Sequence, residues 1–215
     1  LWEHEFYSIG KIAQILEETI NGPSESIDYK VKNVKIEHID NKLALPFLQK
    51  YHYMMKSRSG VHYGAFYGTE LIAVCSFSPI TRKSSAARLN LQPNEIIELS
   101  RLCINPIYRK KNLASKLISK SIKKLKKEKT DLKMILTFAD TTLGHVGTVY
   151  KASNFKYDGD VKPTYWYIDT DGYYRHKKTV WDQAKRLGMT ENDYAKYCEL
   201  KKISGKKLLR FIYKL

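Results

Sequence analysis

The chain has 215 residues, 43% hydrophobic and 12% aromatic, which is enough to bury a sizeable core and too much for a disordered chain. Its three scattered cysteines, Cys75, Cys103 and Cys198, exclude a disulfide framework or a CxxC metal knuckle and fit a reducing cytoplasm, and no apolar run approaches the roughly 18 residues of a membrane span. A formal charge of +16 asks for an acidic partner, nucleic acid first, with a solvated basic surface or a phosphorylated cofactor as the plainer explanations.

The opening Leu1-Trp2-Glu3-His4 has neither an initiating Met nor a signal-peptide pattern, which fits a start inside a longer chain. Residues 5–21 have helical spacing and stop at Asn21-Gly22-Pro23. Residues 29–36 alternate as a half-buried strand, and 41–55 read as a helix interrupted near Pro46. Strands over 61–67 and 71–77 form a hairpin, and a polar loop runs to about Asn94. Residues 96–104 are a strand, 106–112 a basic loop and 113–127 a helix with Leu113, Leu117, Ile118, Ile122 and Leu125 on one face. A fully apolar strand over 133–139 and a helix over 142–153 follow, so the two strands are parallel neighbours joined by a right-handed crossover. Residues 163–168 are a strand, 173–178 a basic ribbon, 180–187 and 191–200 helices, and 208–213 a last strand. The organisation is an N-terminal helical segment over 1–27, an α/β core over 28–171, a basic insertion over 172–207 and a final core strand over 208–215.

Charge is concentrated in two stretches: ten basic residues against one acid over 109–129, and ten against four over 172–207. In the first, Arg109-Lys110-Lys111-Asn112-Leu113-Ala114 opens a helix directly after a strand. Free backbone amides beside positive charge make a pyrophosphate cradle. The segment resembles the Arg/Gln-x-x-Gly-x-Gly/Ala loop with which GNAT-superfamily N-acetyltransferases hold coenzyme A. Asn112 stands where the first glycine is usual, and asparagine tolerates the left-handed turn better than other side chains. Leu102-Cys103-Ile104 resembles the strand whose backbone binds the pantetheine arm in that superfamily, and Tyr150-Lys151-Ala152-Ser153-Asn154-Phe155 resembles its Tyr-x-x-x-Gly-Phe segment. The resemblance implies an α/β fold with a GNAT-like mixed β-sheet flanked by helices, a basic helical insertion before the last strand, and acetyl-CoA or a related acyl donor. It also implies Tyr150 as the acid that protonates the departing thiolate; read alone, Tyr150 packs at a helix C-terminus with Asn154 in the left-handed position.

A narrower resemblance covers roughly residues 45–215. His52-Tyr53, Glu98-Leu99-Ser100-Arg101-Leu102, the run from Ala139-Asp140 through Gly144-His145-Val146-Gly147-Thr148-Val149-Tyr150, and the ending Lys207-Leu208-Leu209-Arg210-Phe211-Ile212-Tyr213 are similar to the phage Mom proteins. These are divergent members of the superfamily that modify adenine in phage DNA at its exocyclic amine and shield the genome from restriction. The resemblance implies double-stranded DNA as substrate, the host cytoplasm as compartment, and Ser100, Arg101, His52, Tyr53, Asp140 and Tyr150 as site residues.

Read from the residues, strand alternation puts Glu98, Ser100 and Leu102 on one face and Arg101 and Cys103 on the other. Arg101 then either holds a phosphate or carboxylate or pairs with Glu98 or Asp140. Asp140 either accepts the amine proton or caps the helix beginning near Thr142. Tyr51, Tyr53, Tyr63 and Tyr67 either stack on an extruded base or fill the core. His52, His145 and Asp140 offer ligand types for a metal ion, without a diagnostic spacing. In the insertion, Arg175, Lys177, Lys178, Lys185 and Arg186 are candidate phosphate contacts, while Trp181 and Tyr194 read as packing. A homodimer is compatible with all of this. The alternatives are a conventional acetyl-CoA-dependent N-acetyltransferase for a small amine or protein lysine, and a non-catalytic DNA-binding protein. The Glu-x-Ser-Arg strand also resembles acyl-homoserine lactone synthases, against which the Gly144-His145 segment and the basic insertion argue.

Overall fold

A computed structural model describes residues 26–215 except Tyr53, Thr142, Leu143, Pro163, Thr164 and Tyr173; the helical segment expected over residues 5–21 lies outside them. The chain forms two compact units. One comprises the described residues through Phe138 with Gly147–Asp158 and Phe211–Leu215, and the other Ala139–Val146 and Gly159–Arg210.

The larger sheet of the chain has seven strands, and most of it belongs to the first unit. Its members are β1 (Lys35–Ile39), β2 (Val61–Tyr67), β3 (Glu70–Pro79), β4 (Ile96–Ile104), β5 (Met134–Asp140), β6 (Lys156–Val161) and β10 (Leu208–Lys214), in the order β1-β2-β3-β4-β5-β10-β6. β1 to β4 form an antiparallel meander, and β4 and β5 are parallel. Helix α1 (Asn41–Tyr51) covers one face, where Phe47 and Leu48 meet Ile39, Val74 and Cys103. Asp40 caps it, its carboxylate accepting from the Leu43 amide at 3.0 Å. Helix α3 (Leu113–Glu128), which follows the short α2 (Lys83–Ala87), packs against β1 to β3. It buries Leu113, Leu117, Ile118, Ile122 and Leu125, the face expected from the sequence. Each such side chain stabilises the fold by roughly 2 kcal/mol.

Three local expectations are corrected. The strand placed over residues 29–36 begins only at Lys35, because Val31–Asn33 make a 3-10 turn. Lys116 from α3 holds this turn, its Nζ donating to the carbonyls of Val31 (2.7 Å), Lys32 (3.1 Å) and Val34 (2.8 Å). The helix expected over 142–153 shrinks to α4 (Thr148–Lys151), because Gly144 (φ 73°) and Gly147 (φ 75°) both turn left-handed before it. The third correction concerns the faces of β4. Ser76 pairs with Arg101 and Phe77 with Leu99, so Ser100 is an extra residue without a partner on β3. Ser78 opposite Glu98 and Ser76 opposite Arg101 point to the same side of β3. The bulge therefore resets the alternation and puts Glu98 and Arg101 on one face, not on opposite ones.

The second unit holds the sheet β8-β7-β9, formed by β7 (Tyr165–Ile168), β8 (Tyr174–His176) and β9 (Lys201–Ser204). It also holds α5 (Lys177–Arg186) and α6 (Glu191–Tyr197). Tyr167, Val180 and Ala195 form its core, with Tyr194 packed against them. The hydroxyls of Tyr165 and Tyr167 both donate to Glu191, at 2.7 and 2.8 Å.

Candidate active site

β4 and β5 run side by side for three residue pairs only, Ile96 with Met134, Ile97 with Ile135 and Glu98 with Leu136. Beyond that β4 continues six residues to Ile104. The Thr137 hydroxyl, donating to the Leu99 carbonyl at 3.0 Å, closes the ladder. On the other side β4 stays paired with β3 up to Ile104. The edge of Leu102, Cys103 and Ile104 that faces away from β3 thus has no strand partner in the β4–β5 ladder, and peptide groups left so are ready to bond an extended, amide-containing ligand.

The loop that follows leads into α3. Asn112 adopts φ 71°, the left-handed conformation expected of a residue in the glycine position, and is the N-cap of α3. The Ser115 hydroxyl and the Lys116 amide both donate to its carbonyl, at 3.2 and 3.0 Å. The helix start, with Arg109 and Lys111 beside it, retains the donor geometry an anion needs. Lys110 is diverted. Its ammonium pairs with Asp28 and lies 5.2 Å from the Tyr29 ring centroid. Burial pushes the Cys103 thiol up to about 12, with the Arg109 charge opposing, so this side chain is a packing group and not a nucleophile.

The bulge brings a polar cluster together on the α1 face. Ser100 Oγ is 2.9 Å from Ser78 Oγ and donates to the Ser76 carbonyl at 3.2 Å. His62 Nδ1 lies 2.8 Å from Ser76 Oγ. Arg58 pairs with Glu98 at 2.8 Å and donates to the Pro79 carbonyl at 2.5 Å. Arg101 donates to the carbonyls of Lys56 (3.0 Å) and Ser100 (2.6 Å). Two arginines therefore tie the 52–60 loop to β3 and β4, and the ion pair made by Glu98 is with Arg58. A cleft of about 420 Å³, lined by His38, Asp40, Asn41, Arg58 and His62 among others, opens above this cluster. Burial, then the neighbouring His38, lowers the His62 pKa, which keeps its imidazole neutral at pH 7.

Sequence reasoning passed over Arg58, His62, Ser76 and Ser78. The available signal was a lone His and two hydroxyls at alternate positions in otherwise apolar strands, which is where a buried network shows. His52 follows α1; its amide donates to the Leu48 carbonyl at 2.9 Å and its Nδ1 accepts from the Met54 amide at 3.0 Å. Tyr53 lies outside the described residues.

Tyr150 sits in α4 with its ring 5.8 Å from Phe155 and 5.7 Å from Phe211. Burial raises its pKa; hydrogen bonding with Thr137 opposes, and Cys75 and Glu98 nearby add to the rise. The hydroxyl thus reaches the place where β4 and β5 part. Asn154 takes the left-handed position at φ 64°, and the Phe155 amide donates to the Tyr150 carbonyl at 3.0 Å. Gly147 is required where it stands, since a Cβ there would lie 2.2 Å from the Phe211 ring.

A family model described as the Mom protein family matches residues 33–215. The chain belongs to the Mom family. It is 24% identical over 192 residues to the methylcarbamoylase mom of Escherichia phage Mu, covering 87% of this chain and 79% of that one. Among solved structures, an N-acetyltransferase from Staphylococcus aureus Mu50 superposes with a TM-score of 0.51 at 11% identity, over 85% of this chain and 98% of that one. An acetyltransferase from Acinetobacter baylyi ADP1, so described provisionally, gives 0.51 at 11%, over 85% and 93%. The acetyltransferase fold and a group-transfer enzyme, both expected from the sequence, are thereby established.

In this Mom-family chain, Asp140 and His145 belong to the second unit, where the His145 amide donates to the Asp140 carbonyl at 3.2 Å. The helix that Asp140 was expected to cap begins instead at Thr148, with Gly147 as N-cap. The expected metal ion finds no support: among the described residues no group of three or more His, Cys, Asp or Glu side chains converges, and His52 Nδ1 already accepts a hydrogen bond. No described helix is long and apolar enough to cross a membrane.

The basic insertion is partly engaged with itself. Arg175 pairs with Asp169 through Nε (3.0 Å) and an Nη (2.9 Å). Lys177 lies 4.8 Å from the Tyr165 ring and Lys185 5.2 Å from Trp181. Arg186 closes α5 on an exposed turn, and the Lys178 side chain is outside what the structure describes. Tyr194 packs as expected, whereas Trp181 is 41% exposed.

Proposed function

We propose that this chain is a DNA-modifying transferase that places an acyl or carbamoylmethyl-type group on the exocyclic N6 amine of adenine, in the host cytoplasm, and so protects the modified DNA from restriction. One observation carries the reading: β4 and β5 part after Glu98 and Leu136, with the half-buried Tyr150 hydrogen-bonded to Thr137 at that point. The phage Mu relative, a methylcarbamoylase by name, supports the choice of group.

The unpartnered edge of Leu102, Cys103 and Ile104 and the Arg109–Ala114 loop fit acetyl-CoA or a related donor, the first for its amide arm and the second for its phosphates. Bound there, such a donor would supply a thioester carbonyl whose C–S bond breaks as an acyl product forms, whereas a carbamoylmethyl product would need a donor carrying its leaving group on the CH₂ of a glycinamide unit. Tyr150 keeps its proton because desolvation disfavours the phenolate, so it is the acid that hands a proton to the leaving group. Asp140 takes the proton the amine loses as the new N–C bond forms. Ser100, Arg101, His52 and Tyr53 are assigned to the acceptor, and Arg175, Lys177, Lys178, Lys185 and Arg186 to phosphates of duplex DNA.

The adenine N6 lone pair is delocalised into the ring, so removing the proton as the bond forms matters more here than for an ordinary amine. Mass spectrometry of nucleosides from DNA of cells expressing the protein tests the reading. A modified deoxyadenosine is expected, and its mass identifies the group. An unmodified adenine pool, with purified protein acetylating small amines or lysine peptides, overturns it.

A further inference from the structure

Among the described residues, α3 carries a dense run of positive charge away from the insertion. Between Leu113 and Glu128 the helix carries six lysines and a single acid. That acid is occupied, Glu128 accepting from the Tyr63 hydroxyl at 3.0 Å. Lys116 is drawn to the three carbonyls of the 31–34 turn. Lys120, Lys123, Lys124 and Lys127 are exposed, and no described side chain accepts a hydrogen bond or forms an ion pair with them. By helical geometry these four lie within roughly 100° of arc and span about 10 Å along the axis.

A merely solvated helix intersperses acids, which gain from pairing at i+3 and i+4. Here Lys120 faces Lys124 and Lys123 faces Lys127 at i+4, a self-repulsion offset on the helix by Glu128 alone, at i+4 from Lys124. The basic residues of the insertion differ, since Arg175, Lys177 and Lys185 already engage Asp169, Tyr165 and Trp181.

We infer that the exposed face of α3, centred on Lys120, Lys123, Lys124 and Lys127, is a docking surface for the phosphate backbone of duplex DNA. The inference rests on the DNA-modification reading for its choice of polyanion. Duplex DNA presents about one phosphate per 1.7 Å of axis, dense enough to meet a rigid row of four ammonium groups. An anionic membrane fits less well, because the apolar side of α3 is buried against the sheet and nothing remains to insert among lipid chains. Contacts of this kind position the duplex and carry no sequence information.

The test uses the full chain with all four lysines changed to Gln, a good helix former, and a second variant, Lys185→Gln with Arg186→Gln. Fluorescence anisotropy with a random-sequence duplex is followed across a salt series. The α3 variant is expected to melt at or above the wild-type temperature. It should bind the duplex on the order of ten- to a hundredfold more weakly at low salt, with the log–log salt slope shallower by about three to four. An unchanged slope in the α3 variant, with the loss confined to the insertion variant, overturns the inference. So does wild-type protein that prefers phosphatidylserine vesicles to duplex and loses that preference in the α3 variant. Wild-type protein that binds no duplex at low salt also overturns it, and the nucleoside assay then decides the modification reading by itself.

Discussion

Around Ser100 the polar groups of the first unit are bonded to one another across three strands, whereas basic groups of the second unit rest on aromatic rings and on two carboxylates, Asp169 and Asp160. The first arrangement exists only if the sheet register is correct, because His62, Ser76, Ser78 and Glu98 come from β2, β3 and β4 and meet by cross-strand pairing, and the bulge adds Ser100 and Arg101 to them. The second is assembled from neighbours close in sequence, such as Lys185 and Trp181 on one helix. The contrast separates groups whose removal reaches the fold or the chemistry from groups whose removal reaches affinity alone.

The sharpest way to break the comparison is Tyr150→Phe. If the hydroxyl acts as the acid, transfer falls on the order of 10²–10⁴-fold while the melting temperature stays near wild type, since both ring contacts survive. Unchanged turnover would reduce Tyr150 to a packing residue. Next comes Arg58→Ala, which strands Glu98 and frees the 52–60 loop. Both side chains are less than a quarter exposed, so a loss of about 2 kcal/mol is expected in urea titration, with part recovered in the double variant with Glu98→Gln.

A pH effect follows from Tyr63. Burial, then its hydrogen bond to Glu128, raises its pKa. The folded state therefore favours the protonated phenol, and this contribution is whole below the ordinary tyrosine value near 10 and is lost as pH rises above it. Tyr63→Phe should flatten the fall in stability above about pH 10, read as melting temperature against pH; an identical curve would assign the alkaline loss to other groups. The smallest effect belongs to Lys185→Gln in the second unit. Its ammonium lies 5.2 Å from the ring of Trp181, itself 41% exposed, so under about 1 kcal/mol is expected in urea titration, and a larger loss would show that this unit too depends on its surface contacts.

Much of the fold was legible because hydrophobic spacing carries it: β4, α3, β5 and the last strand fall within a residue or so of their expected bounds. Asn112 and Asn154 were legible for a different reason, since a left-handed turn restricts residue type. The bulge at Ser100 left no such mark. One extra residue in a strand changes neither composition nor length, yet it moves Arg101 to the face of Glu98. The shortened helix before Tyr150 was misread because glycines 144 and 147 do not interrupt the apolar pattern, although their backbone does. Arg58 and His62 join the site through pairings that only the sheet register decides.

The strand order β5-β10-β6 has a consequence for how the chain can diversify. β10 takes its place beside β5 only after residues 162–207 have been spanned. Closing such a loop costs entropy that grows only logarithmically, about 0.6 kcal/mol per doubling of its length. Insertions, deletions or exchange of that stretch are therefore weakly felt by the sheet so long as β10 returns. A lineage can replace the segment as a cassette while β4 and α4, which bear Ser100 and Tyr150, are kept, and chimaeras joined near Lys162 and Lys207 are the natural way to trade one for another.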